Sequence, residues 1–401
     1  MSQRGEHPCS LSRLSATAYA HSGQRPSYQK LRATYRTPLN RAAVIFLYAC
    51  ALLQFVRFYV KSTNFYLSMP LYMAGMERLP FQERILPAVL FRPILHSPWM
   101  MQKFAGAHSM IQPAFVPFYM LSLFSCVIIA VYTQKLYNML TVRSSLRALV
   151  FPVLLFTLVW TYALHLEANY SYPYDLPSVA FFAAGVYFIY ARRFFALFLV
   201  ILIGSFNRET TLFLIGIYML DAASAHSTLD DGMKTEMHPG FAALRSRFDV
   251  RAIPWARVAL LSAIWLAIKI GLAHRFEHND ASEDFLRVSY NLHRLGLRLL
   301  PALLNVCGYS VPLVVLFWSS LRPRRFANYF FILVPWFAIM FCAGVLIETR
   351  IYGELCSISA VALVLLMENR MVIERAAESP GGQQSTPGPF DASDDLGVAA
   401  D

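Results

Sequence analysis

"FFALFLVILIGSFNRETTLFLIGIYML", residues 194–220, sets Asn207, Arg208, Glu209 and Thr210 in the middle of an otherwise apolar run. Ionised side chains at bilayer depth are costly, so they are rare and usually functional. Whether this stretch is one helix or two fixes the topology of everything after it. A single helix would be about 40 Å long at 1.5 Å per residue, too long for a hydrocarbon core of about 30 Å even with moderate tilt. It would also place the ten Lys/Arg of 221–257, 322–325 and the C-terminal end outside, leaving only Arg275, Arg287, Arg294, Arg298 and Arg350 inside. The positive-inside rule opposes that arrangement. The stretch therefore reads as a hairpin of two short helices, with "NRET" at the head of the returning one.

The rest of the chain agrees with a membrane class. Of 401 residues, 57% are hydrophobic and only 15% charged, where a soluble domain is nearer a quarter charged. Ten apolar windows recur, at 42–60, 112–134, 148–166, 176–191, 194–206, 211–223, 258–272, 297–320, 326–347 and 351–368. The expected fold is an all-α, polytopic transmembrane helical bundle of about ten spans, occupying 42–371. With the N-terminus inside, inner loops carry 22 Lys/Arg and 13 Asp/Glu, and outer loops 11 of each. That bias explains the net charge of +11 without any nucleic acid.

Residues 1–41 are polar and basic, with no apolar stretch and cleavage site of a secretory signal peptide. They are expected to be a disordered cytoplasmic tail, although an Arg- and Ser-rich, acid-poor start also fits an organellar transit peptide. Residues 376–401 are acidic and rich in Pro and Gly, and are expected to be disordered. Between the first two spans, "MERLPFQERILPAVLFRPILH" is too charged to span and too apolar to float free. Short amphipathic helices in the outer interface are expected there, with Pro87 in a first turn. The six cysteines have no metal or redox spacing and read as small core residues.

Counting residues from the inner turn Arg192–Arg193 gives depths. Asp175, in "NYSYPYDLP", lies 17 residues from Arg192, about 26 Å above the turn, and Asn207 lies 14 residues from Arg193, about 21 Å above it. An Asp175–Arg208 pair across adjacent antiparallel helices is therefore expected. Asn207 is a good N-cap for the returning helix, and Glu209 suits its positive end; Arg208 there requires an anionic partner. Arg84 in "FQERIL" and Glu348, Arg350 and Glu354 in "ETRIYGEL" fall on the same outer side. No comparable motif is seen at the inner span ends, so the pattern describes an outward-facing polar cavity. Taken singly, each residue has a plain structural alternative: a cap, a turn residue before Pro177, or a snorkelling arginine. His274, Glu277 and His278 match a zinc-peptidase pattern without its scaffold, and would hold at most a loose divalent metal at the outer face. Asn169-Tyr170-Ser171 is a glycosylation sequon read as chance.

The order "FQERIL", "YPYD", "NRET", "ETRIYGEL" over roughly 41–370 resembles a group of bacterial polytopic membrane proteins that look like distant GT-C glycosyltransferases. The resemblance implies sugar transfer from a polyprenyl-phosphate donor at the outer face. It also implies a carboxylate from an outer loop and basic residues for the lipid phosphate. On this chain the carboxylates are Asp175, Glu209, Glu348 and Glu354. The substrate-binding candidates are Arg84, Arg208, Arg350, Asn207, Tyr172, Tyr174 and Tyr352. GT-C members carry an acidic motif soon after the first span; here the first acid is Glu77, and Glu77 or Glu83 would have to stand in.

The leading expectation is a glycosyltransferase of a bacterial inner membrane, both termini cytoplasmic, with membrane lipids as partners and no certain cofactor. The rival is a transporter or flippase for an anionic or lipid-linked solute, and the third a non-catalytic assembly protein.

Overall fold

A computed structural model describes residues 38–62, 67–103, 111–141, 146–164, 170–224, 248–280, 286–293 and 299–377. Both expected tails lie outside these residues, except that 38–41 and 376–377 are helical; Asn169 lies outside them too. The described residues are helical, without a β-strand. The chain divides into two compact units, 1–54 and 55–401. Residues 38–54 of the first are helical and begin α1 (Pro38–Ser62).

In the second unit the segment between the first two expected spans forms three short helices: α2 (Met69–Ala74), α3 (Leu86–Leu95, Pro87 in its first turn) and α4 (Pro98–Lys103). Then come α5 (Ile111–Leu140), α6 (Val150–Tyr162), α7 (Asp175–Tyr190), α8 (Phe194–Gly204), α9 (Leu212–Ser224) and α10 (Trp255–Arg275). After these follow α11 (Val288–His293), α12 (Leu299–Leu304), α13 (Ser310–Leu316), α14 (Arg324–Ala327), α15 (Leu333–Ala343) and α16 (Cys356–Ala377). Among the described residues, five stretches are long and apolar enough to cross a membrane: Asn40–Lys61, Ala114–Leu140, Trp255–Arg275, Arg324–Ala343 and Thr349–Met371. The last is the most buried of them and Trp255–Arg275 the least, as expected for a central and a peripheral helix.

The chain does break inside the opening stretch. After α8 ends at Gly204, residues 205–207 turn and Arg208 is extended (φ −159°, ψ 148°). A 3₁₀ turn over Glu209–Thr211 then leads into α9. Phe194, at the start of α8, packs on Tyr218, late in α9, which confirms the reversal. The expected continuous span over 297–320 is not one helix. Cys307, Gly308 and Tyr309 all have positive φ (51°, 66°, 62°) and separate α12 from α13. Gly308 sits so close to Phe156 and Trp160 of α6 that the break is also a packing contact.

Helix α7 organises the neighbouring packing. Its residues Leu176–Ala180 and Phe182–Val186 are buried, and it touches α5, α8, α9, α16 and the 349–355 turn. In lipid there is little hydrophobic drive between helices, so small residues that let backbones approach carry the contact. Ala183, Ala184 and Gly185 supply them: a Cβ at Gly185 would come within 2.6 Å of Leu214 in α9.

The same crowding is most severe at Gly353, where a Cβ would collide with the Tyr162 hydroxyl of α6. Gly353→Ala is expected to lower stability by about 1–3 kcal/mol through overpacking. Gly271→Ala, whose Cβ meets nothing within 4 Å, should be neutral or slightly stabilising. Thermal unfolding of the purified protein in mild detergent checks this; equal midpoints for the two variants would contradict it.

Candidate functional site

The four charged motifs meet in one place, because α7, the 205–211 turn, the 349–355 turn and the 81–86 loop all end there. Asp175 opens α7 and is completely buried. Its Oδ1 lies 3.4 Å from Arg208 Nη1, the expected pair, and 3.8 Å from Arg350 Nη1. Its Oδ2 accepts from the Tyr59 hydroxyl at 3.5 Å. Arg208 reaches a second carboxylate, Glu354 Oε1, at 3.2 Å, which also accepts from Thr210 Oγ1 at 2.7 Å. Arg350 pairs with Glu348 at 2.5 Å. Asp175, Arg208 and Glu354 are at most 4% exposed, so the predicted open cavity floor is sealed here. Arg208 Nε, Arg350 Nε and Glu354 Oε2 have no hydrogen-bond partner among the described residues.

Aromatic rings flank the cations. Tyr172 stacks between Phe81 (5.5 Å) and Tyr174 (5.1 Å). Arg350 lies over Tyr172 at 4.3 Å and Arg84 over Tyr174 at 4.6 Å, partly offsetting the cost of burying each guanidinium. Tyr352 is buried, and its hydroxyl donates to Leu346 O at 3.3 Å. Asn207 does not cap the returning helix. Because Arg208 is extended, Asn207 falls in the turn, and its Nδ2 donates to Tyr174 O (2.8 Å) and Ser178 Oγ (2.9 Å). It clamps the turn to the first turn of α7 instead.

Glu209 is the open edge of the cluster, with a side chain 45% exposed. Arg84 forks onto it, Nη2 to Oε1 at 2.5 Å and Nε to Oε2 at 3.3 Å, and Lys269 Nζ lies 4.0 Å from Oε2. Trp265 Nε1 donates to the Glu209 carbonyl at 3.2 Å, tying the turn to α10. Burial raises the Glu209 carboxyl, but Arg84, then Lys269 and Arg208, outweigh it and hold it well below the usual range. At Glu83 burial prevails over Lys269 and, with Glu209 nearby, pushes the carboxyl up. A cavity of about 730 Å³ lies between α3 and α10, lined by Gln82, Ile85, Arg92, Phe206, Gly271 and Arg275 among others; Ile85 and Ile268 line it next in the chain to Arg84 and Lys269, which do not themselves face it.

Two features are not among the charged motifs named above. Lys269 lies within the apolar window 258–272. A lysine amid "AIWLAIKIGLA" is itself a signal of function at depth. The second overturns the expectation of one-sided charge. At the far end of α9, Asp221 takes both Arg325 nitrogens at 2.7 Å and the Tyr329 hydroxyl, and Arg325 lies over the Tyr190 ring at 4.5 Å. Asp221 and Arg325 are 104 residues apart, so no local motif announces them.

His274, Glu277 and His278 form an exposed cluster, His274 Nδ1 lying 2.9 Å from Glu277 Oε2. Among the described residues no three His, Cys, Asp or Glu side chains are placed to hold a metal ion. Compared with known proteins, the chain matches no family model, no curated protein and no solved structure.

Removing one member of a buried ion network strands its partners. Arg208→Met is expected to cost about 3–5 kcal/mol, and pairing it with Glu354→Gln should restore part of that. Denaturation in detergent would show this; a milder loss in the single variant than in the double would refute it. The depressed Glu209 carboxyl gives a pH signature. Its contribution is present above the unfolded carboxylate range and is lost as pH falls through the lower folded value. Glu209→Gln should therefore flatten the acid side of the melting-temperature profile; an unchanged acid limb would exclude this contribution.

Proposed function

We propose that this chain is a GT-C-like transferase of a bacterial inner membrane. All ten apolar segments lie in the bilayer, both termini are cytoplasmic, and a sugar passes from a polyprenyl-phosphate donor to an acceptor at the outer face. The observation that carries this reading is the half-exposed Glu209 carboxylate between Arg84 and Lys269, whose chain neighbours Ile85 and Ile268 line a cavity of about 730 Å³. Asp175 and Glu354 are too deeply enclosed to meet an acceptor, and Glu348 is held by Arg350. Glu209 is the one of the four carboxylates with room to act.

The chemistry asked of this edge is simple. Glu209 takes the proton of the acceptor hydroxyl as its oxygen bonds to the sugar's anomeric carbon. The bond from that carbon to the phosphate oxygen breaks, and its electron pair leaves with the phosphate. Arg84 and Lys269 stabilise the developing charge in a water-poor site. The buried Asp175–Arg208–Glu354–Arg350 network fixes the turn that presents Glu209. Glu83, nearby, stands where the missing early acidic motif would be expected.

Glu209→Gln should leave the protein inserted and monodisperse while lowering transfer by about 10²–10⁴-fold, so that an unused glycosyl lipid accumulates. Mass spectrometry of cellular lipids and of lipids that co-purify in mild detergent reads both. Wild-type lipid and glycan profiles in the variant would sink the proposal. A transporter for an anionic solute is the second reading, favoured by the interrupted helix at 305–309; solute uptake into proteoliposomes that survives Glu209→Gln would select it.

A further inference from the structure

The two cations at the open edge and the carboxylate they share are not alike. Arg84 and Lys269 have side chains only 8% and 12% exposed, against 45% for Glu209. Arg84 is anchored: its carbonyl accepts from the Tyr72 hydroxyl, its guanidinium lies over Tyr174, and two residues on Leu86 N bonds Phe206 O at 3.1 Å. Lys269 is carried by the long helix α10. Its ammonium has three protons to donate, yet Nζ is buried with no hydrogen-bond partner among the described residues. A buried donor left unsatisfied costs more than a bond made is worth, so such a group asks for an explanation. Glu209, by contrast, heads a single 3₁₀ turn after an extended residue. The positive charges are fixed and deep, and the negative one is peripheral and on the shortest element.

We propose that Arg84 and Lys269 form a binding site for a phosphate monoester, and that Glu209 is its resident stand-in, displaced when the ligand arrives. This rests on the reading above for the role of that phosphate and adds how the site is held when empty. A carboxylate offers two oxygens, and here both go to Arg84 while Lys269 is left at 4.0 Å. A phosphate monoester brings three terminal oxygens and a charge of about −1.5 to −2, enough for the Arg84 fork and the Lys269 ammonium together. In the transfer proposed above the donor phosphate is a diester with two terminal oxygens and the monoester is the product, so this exchange holds the leaving phosphate and then expels it as Glu209 returns to Arg84. Phosphate on a hydrocarbon chain and phosphate on a soluble ester share this chemistry. The cavity between α3 and α10 can tell them apart: its walls include Ile85, Val89, Ile268 and Leu272, with open space at Gly271.

The test is binding of inorganic phosphate and of dodecyl phosphate to the full-length protein in mild detergent, by calorimetry. Glu209→Gln should bind both probes about tenfold tighter than the wild type, since the competing charge is gone. Lys269→Met should bind both at least about tenfold more weakly. A gain in affinity cannot come from misfolding, and size-exclusion profiles check Lys269→Met. Gly271→Leu fills the open wall: weakened dodecyl phosphate with unchanged inorganic phosphate identifies a lipid source, and both unchanged a soluble ester. If Glu209→Gln binds no tighter, or monodisperse Lys269→Met binds as the wild type, the stand-in idea fails. Loss of transfer in Glu209→Gln without tighter binding would remove the displacement and leave the base role standing. Tighter binding with a wild-type lipid profile would do the reverse.

Discussion

Arg208, held between Asp175 and Glu354, is the interaction on which the surrounding structure depends. A charge withdrawn from water is tolerable only if it is paired and hydrogen-bonded, and each partner here comes from a different part of the chain. Asp175 opens α7, Arg208 precedes α9, and Glu354 lies in the turn before α16. Satisfying one guanidinium therefore fixes the relative depth of three helices. Arg350 extends the same logic, linking Asp175 to Glu348. None of these bonds needs to add much net stability. Their effect is to make other registers of the helices expensive, because any slip would strand a buried charge.

The cluster is graded from sealed to open. At its centre the carboxylates are enclosed and ion-paired, although Arg208 Nε, Arg350 Nε and Glu354 Oε2 have no hydrogen-bond partner among the described residues. At its edge Glu209 reaches the surface, and the cation beneath it, Lys269, is short of partners. What sets the edge apart is exposure: Glu209 reaches the surface where the 67–86 segment, the 205–211 turn and α10 converge, next in the chain to residues that line a cavity. The 67–86 segment is itself tied down, with Asn279 bonding Gly75 O and Glu77 O and Leu79 N bonding Asp280 O. The cavity wall is thus a folded element with its own hydrogen bonds.

A second compensated group, Asp221 with Arg325 and Tyr329, secures the opposite end of α9. Helix α9 is about 20 Å long, and it is pinned at both ends by charge and along its length by close packing of Gly185 on Leu214. The short α7–α8–α9 segments, weak spans by length alone, gain definition from these pins.

How much of this was legible in the sequence follows from what counting can measure. Composition and apolar windows pointed to a helical chain, and five of its described stretches are long and apolar enough to cross a membrane; loop charge argued against a continuous helix over 194–220, and the chain does break there. The 3.6-residue geometry gave depth along each helix, which is why Asp175 and Arg208 could be matched from residue counts. Depth says nothing about rotation or neighbourhood. The direction of Asn207 depended on the extended backbone at Arg208. The break at 307–309 depended on α6 pressing against Gly308. Asp221 found Arg325 across 104 residues, and Lys269 turned toward Glu209 rather than lipid. The sequence by itself determined the helical, apolar character of the chain, its reversal at 205–211 and the matched heights of Asp175 and Arg208 along neighbouring helices. Which charges touch, and which one is left open, was decided only by tertiary packing, because burial in low dielectric couples groups by direction and distance, and neither is written in residue spacing.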